Sequence, residues 1–129
     1  FPKRLKIEIR RNVENWEFED KIAFSKYSTH QVMLKAHTLE QTLKNKISAL
    51  LNRKEIRDAF DIEFILRRGI SLPPLSAMQV RTILNRLSEF KDRDFKVTLG
   101  SIIEDELRSY YFENRFTYLE EQLNFLLKT

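Results

Sequence analysis

Residues 46–61 read KISALLNRKEIRDAFD, Lys46 to Asp61, and the fold turns on them because charged side chains recur at helical spacing among core-type residues. On a helix advancing about 100° per residue, Leu39, Leu43, Ile47 and Leu50 form one apolar stripe, and Lys46 and Arg53 project along it. Glu40, Gln41, Lys44, Asn45, Ser48 and Asn52 fill the other side. A basic side chain aimed at the interior needs an anion, since an unpaired buried charge is strongly penalised. Asp58 and Asp61 supply two, at i and i+3 in the opening turn of a second helix otherwise crowded with Ala59, Phe60, Ile62, Phe64, Ile65 and Leu66. The expected unit is therefore a pair of helices, cations on the first and carboxylates on the second.

Outward from this pair, 129 residues with 42% hydrophobic and 12% aromatic content suit one domain with one core. Charged residues make up 33% of the chain, but the net charge is only +4, so acids and bases are mixed and no nucleic-acid-binding tail is declared. The charge is unevenly spread. Lys3, Arg4, Lys6, Arg10 and Arg11 crowd the beginning around Glu8, whereas Glu104, Asp105, Glu106, Glu113, Glu120 and Glu121 load the end. The absence of cysteine excludes a disulfide frame and a thiolate metal site, and fits a reducing, cytoplasmic setting. No apolar run approaches membrane-spanning length, so no membrane partner is expected, and no secretory or transit leader is readable.

In chain order, Leu5, Ile7 and Ile9 alternate with Lys6, Glu8 and Arg10, the period of a strand with one buried face. Residues 12–29 hold Trp16, Phe18, Ile22, Phe24 and Tyr27 at loose spacing, suiting a second strand with loops or an irregular cover, and Gln31 to Ala36 reads as a further strand. His30 and His37 have no partner at metal-ligand spacing and read as loop or strand-end residues. Thr38 with Gln41 forms a capping box that starts the first helix, about Leu39 to Asn52. After a turn at 53–55 the second runs from about Ile56 to Arg68, closed by Gly69. Ser71-Leu72-Pro73-Pro74 is the clearest punctuation.

A third helix is expected from about Ser76 to Phe90, with Val80, Ile83, Leu84, Leu87 and Phe90 on one face. Phe95 to Leu99 alternates and reads as an extended connection. Ser101 with Glu104 forms a second capping box, leading to a helix through Leu107 and Tyr111, with a break near Glu113-Asn114 and a last stripe at Phe116, Leu119, Leu123 and Leu126. Tyr110-Tyr111-Phe112 has two readings, a helical core cluster or a base-stacking surface. The fold class is α+β: a small, mostly antiparallel sheet in residues 1–37, then a helical bundle over 38–129.

Lys46, Ala49, Leu50, Arg53, Arg57, Asp58 and Asp61 form the pattern Lys-x-x-Ala-Leu-x-x-Arg-x-x-x-Arg-Asp-x-x-Asp, which resembles the AbiEii/AbiGii-type nucleotidyltransferase toxin family. The resemblance is strongest from Thr38 to about Gly69, reaches back to the strand around Glu8 and is nearly silent after Pro73. It implies a toxin that transfers a nucleotide from a nucleoside triphosphate, with magnesium, to an acceptor such as tRNA, in a toxin–antitoxin or phage-defence system with an antitoxin partner. Nucleotidyl transfer needs paired metal ions and a cation for the triphosphate. By resemblance Lys46 is the phosphate clamp, assisted by Arg53 or Arg57, and Asp58 either orients Lys46 or takes the proton of the attacking hydroxyl. Asp61 completes the candidate catalytic set, as support for Arg53 or Arg57. Glu8 is the candidate metal ligand beside its ordinary reading as part of a solvated strand face.

Such proteins also carry a Gly-Ser loop and an Asp-x-Asp pair upstream of this pattern, and neither precedes it here. The expectation is accordingly a single domain, or the C-terminal part of a nucleotidyltransferase, that does not catalyse alone. The rival readings are a non-catalytic module that binds nucleic acid or protein, and an interior salt-bridge network that only joins two helices.

Overall fold

The structure, a computed structural model, describes residues 16–24, 27, 29 and 31–128. The strand expected at Leu5 to Ile9, the basic cluster around it, Glu8 and His30 lie outside the described residues. The chain divides into two compact units, Phe1–Gln41 and Thr42–Thr129.

In the first unit, β1 (Phe18–Phe24) and β2 (Gln31–His37) pair antiparallel, Phe18 opposite His37 and Phe24 opposite Gln31. One strand thus forms within the poorly patterned 12–29 stretch. His37 ends β2 with its ring against those of Trp16 and Phe18, at centroid distances of 5.1 and 5.0 Å. The expected box at Thr38 forms by half. The Thr38 hydroxyl accepts the Gln41 N–H at 3.0 Å, but Gln41 Oε1 accepts the N–H of Glu17 at 3.1 Å instead of closing back on Thr38. That bond explains why Gln41 is buried although its spacing placed it on the polar side.

The second unit is helical. α1 (Leu39–Asn52) enters it and is followed by α2 (Ile56–Arg67), α3 (Ala77–Glu89), a π-helix over Asp94–Leu99, α4 (Asp105–Asn114) and α5 (Thr117–Lys128). α3 and α2 pack on α5, and the π-helix packs on α2 and α4. Leu43, Ile47 and Leu50 are buried as their stripe requires, whereas Leu39 is exposed. The core gathers Ile56, Ala59, Ile62 and Leu66 of α2 with Val80, Ile83 and Leu87 of α3 and Leu119 and Leu123 of α5. Phe90, Phe95 and Phe116 meet at 5.3 to 6.5 Å between ring centroids, mostly edge-on or tilted as ring quadrupoles prefer.

Two expectations fail here. Phe95 to Leu99 is not extended but π-helical, the Gly100 N–H reaching back to the Phe95 carbonyl at 3.0 Å. Phe95 and Leu99 are buried and Val97 exposed, a four-residue spacing that a helical turn satisfies as well as strand alternation would. The second capping box does not form either. Glu104 is the residue before α4 and makes no side-chain cap, while the Ser101 hydroxyl donates to the Thr98 carbonyl at 3.0 Å. The box that does close is Ser76 with Gln79, at 3.1 and 2.9 Å.

The break near Glu113-Asn114 is a sharp corner at Arg115, whose φ of 53° lies in the left-handed region where non-glycine residues are strained. Its side chain holds the corner, donating to the Phe90 carbonyl at 2.8 Å and to Asp92 at 2.6 Å. Arg86 of α3 likewise donates to the Leu51 carbonyl at 2.8 Å, satisfying a group left open at the end of α1.

Candidate functional site

α1 and α2 are joined by a turn of three residues, Arg53 to Glu55, which brings the end of one helix over the start of the next. Asp58 lies in the first turn of α2, where the helix dipole favours a carboxylate. It is 2% exposed and holds both partners at once: Arg53 Nε and Nη2 donate to its two oxygens at 3.0 and 3.3 Å, and Lys46 Nζ stands 3.5 Å from Oδ1. Lys46 also reaches Asp61 Oδ2 at 2.9 Å. The hydrogen bond to Asp61 is the chief reason that the Lys46 pKa lies above its ordinary value. The fields of Asp61 and Asp58 add to it, and partial burial opposes it. Lys46 is therefore a permanent ammonium, suited to holding an anion and not to accepting a proton.

Asp58 is buried, but its partners and Asp61 are open to water. Lys46, Arg53, Glu55, Arg57, Asp58 and Asp61 line an open cleft of about 300 Å³. The Lys46 and Arg53 side chains are 33% and 61% exposed, so both cations reach water while they hold the buried carboxylate. Asp61 was expected to support Arg53 or Arg57 and pairs with Lys46 instead, because i and i+3 on α2 place both carboxylates beside the same ammonium. Arg57 is exposed at the cleft and carries no ion pair among the described residues. Charge in the cleft is balanced on paper, but Asp58 and Asp61 are spent on Lys46 and Arg53, and Glu55 and Arg57 make no ion pair among the described residues, so Arg57 is the cation open to a new anion.

A model of the nucleotidyl transferase AbiEii toxin family, of type IV toxin–antitoxin systems, matches residues 2–124. The chain belongs to this family. The match takes in the helices after Pro73, where the sequence pattern was nearly silent. Comparisons with curated proteins and with solved structures give no match.

Membership in a nucleotidyltransferase family raises the question of a metal, and the described residues do not fit one. Both Asp58 oxygens are engaged by Arg53 and Lys46, and Asp61 is neutralised by Lys46. No group of three His, Asp or Glu side chains at metal-binding distance occurs among the described residues. An Asp-x-Asp does occur downstream, as Asp92-Arg93-Asp94, but Asp92 pairs with Arg115 at 2.6 Å and Asp94 accepts the Lys91 N–H at 2.8 Å. It is a structural turn.

The sequence reading passed over Glu63. Its side chain is fully buried, and Oε1 accepts the Leu119 N–H at 3.0 Å, so α2 supplies the cap that Phe116, just ahead of α5, cannot. Arg67 Nε lies 3.9 Å from Oε2. The signal was available: Ile56, Ala59, Glu63 and Leu66 stand at i, i+3, i+7 and i+10, which puts Glu63 on the buried face.

Proposed function

We propose that the cleft between α1 and α2 is the triphosphate-binding part of a nucleotidyltransferase-like toxin. In this reading the protein takes a nucleotide from a nucleoside triphosphate with magnesium and passes it to an RNA acceptor such as tRNA, in a phage-defence system where an antitoxin restrains it. The observation that carries the proposal is the open cleft in which Arg57 makes no ion pair among the described residues and Lys46 is held as an ammonium. Lys46 and Arg57 receive phosphate oxygens. Asp58 fixes Arg53 and Lys46 in place, which its buried, doubly occupied carboxylate suits better than proton transfer does. Asp61 is the more exposed acid, and moves off Lys46 when phosphate takes its place. Membership of the family supports the activity as a class, and the substrate and acceptor are the proposal.

Titration of the chain with a nucleoside triphosphate, followed by NMR, tests this. Signals of Lys46, Arg53 and Arg57 are expected to move together, and Arg57→Gln to weaken binding roughly tenfold, the loss of one charge-assisted contact, without a change in melting temperature. An absence of shifts at these residues, or an affinity indifferent to both Arg57→Gln and Lys46→Met, would retire the proposal.

A further inference from the structure

A second hollow, of about 340 Å³, opens between α2 and α4 and is lined by Phe60, Phe64, Arg67, Arg68, Leu107 and Tyr110. It is apolar but not plain. Phe64, Leu107 and Tyr110 are 49%, 42% and 38% exposed, so two aromatic rings face water on one concave surface. Arg68 stands over the Phe64 ring at 5.8 Å, and Arg67 over Tyr110 at 5.3 Å while donating to its hydroxyl at 2.6 Å. No carboxylate lines the hollow, and Arg68 has no ion pair among the described residues. Tyr111 beneath it is buried against Phe60 and Phe116, so the floor is rigid.

The hollow also continues the cleft. Arg57, Asp61, Phe64 and Arg68 are spaced i, i+4, i+7 and i+11, a stripe that follows α2 and ends on the residue just past it, about 16 Å long at 1.5 Å per residue. A ligand lying along that stripe meets the Arg57 guanidinium, then the Asp61 carboxylate paired with Lys46, and in the hollow itself the exposed rings with the guanidiniums of Arg67 and Arg68. The hollow therefore calls for a partner with flat apolar faces beside negative charge. A single-stranded nucleic acid has both: its bases stack on aromatic side chains and its phosphates meet arginines. A duplex hides those faces, and an acidic peptide would answer the arginines but not the rings.

We propose that the α2–α4 hollow seats a base of a single-stranded nucleic acid, stacked on Phe64 and Tyr110 with neighbouring phosphates on Arg67 and Arg68. That the strand is the acceptor rests on the function proposed above; that the hollow binds it does not. The test is fluorescence anisotropy of the chain with a labelled single-stranded oligoribonucleotide, beside the matching duplex and a synthetic Glu- and Leu-rich peptide. Phe64→Ala is expected to weaken single-strand binding roughly tenfold, the loss of one stacked base. Arg68→Gln should weaken it too and reduce the salt slope by about 0.7, one single-strand phosphate contact. The Phe64→Ala variant is also titrated with the nucleoside triphosphate alone, and loss of strand binding with triphosphate binding retained separates the hollow from the cleft. Both residues are exposed, and circular dichroism confirms that each variant is folded. The proposal is overturned by absent binding, by binding indifferent to Phe64→Ala, by a duplex bound as well as the single strand, or by a peptide that alone responds to Phe64→Ala.

Discussion

Glu63 carries a heavy structural demand, since its fully buried carboxylate faces the Leu119 N–H, Arg67 and the Tyr111 hydroxyl. Glu63→Ala orphans a buried donor at the start of α5 and is expected to lower stability by about 1–3 kcal/mol. Glu63→Gln, which keeps an acceptor, should lose less, and denaturant midpoints of the two variants check this order. Burial first, and the Glu63 carboxylate second, push the Tyr111 hydroxyl pKa well above its ordinary value. The folded state therefore holds that proton more tightly than the unfolded chain does. Stability from this source is complete below the unfolded pKa near 10 and is lost as pH rises from there toward the raised folded value. Lys46, also raised, acts in the same direction. Denaturant midpoints measured upward from pH 8 should fall in the alkaline range, and Tyr111→Phe should fall less steeply than the parent chain.

Helices with strong apolar stripes were legible, and α1, α2 and α3 begin and end within a residue or two of their sequence signals. Short elements were not. A five-residue run such as Phe95 to Leu99 fits strand and helix periods alike, and the choice fell to burial of Phe95 and Leu99 against α2 and α4. Gly100 marks the cost of that choice. A Cβ there would fall on the Lys96 carbonyl oxygen, a backbone atom that cannot swing aside. Gly100→Ala should therefore destabilise the protein by about 1–3 kcal/mol, as overpacking does, and thermal unfolding would read it. A melting temperature equal to that of the parent would show that the π-helix relaxes to an α-helical turn.

At the scale of the molecule, the pairing of α1 with α2 is both architecture and candidate site, and the two roles separate by burial. Asp58→Ala removes a buried carboxylate, but its cationic partners are free to turn to water, so the expected loss is only about 1–2 kcal/mol. Arg57→Gln should cost nothing measurable when both variants are unfolded in urea, because Arg57 is exposed and makes no ion pair among the described residues. Equal losses from both would mean that the cleft is built for packing. The sequence by itself determined the fold class, the family and the residues of the ionic cluster, because helical periodicity and charges set into an apolar stripe are local facts. Only the tertiary structure decided that Asp61 serves Lys46, that Glu63 caps a helix 56 residues away and that Phe64 and Tyr110 face water across one hollow. Those outcomes depend on which helices meet, and side chains distant in sequence carry no mark of their partners until packing brings them together.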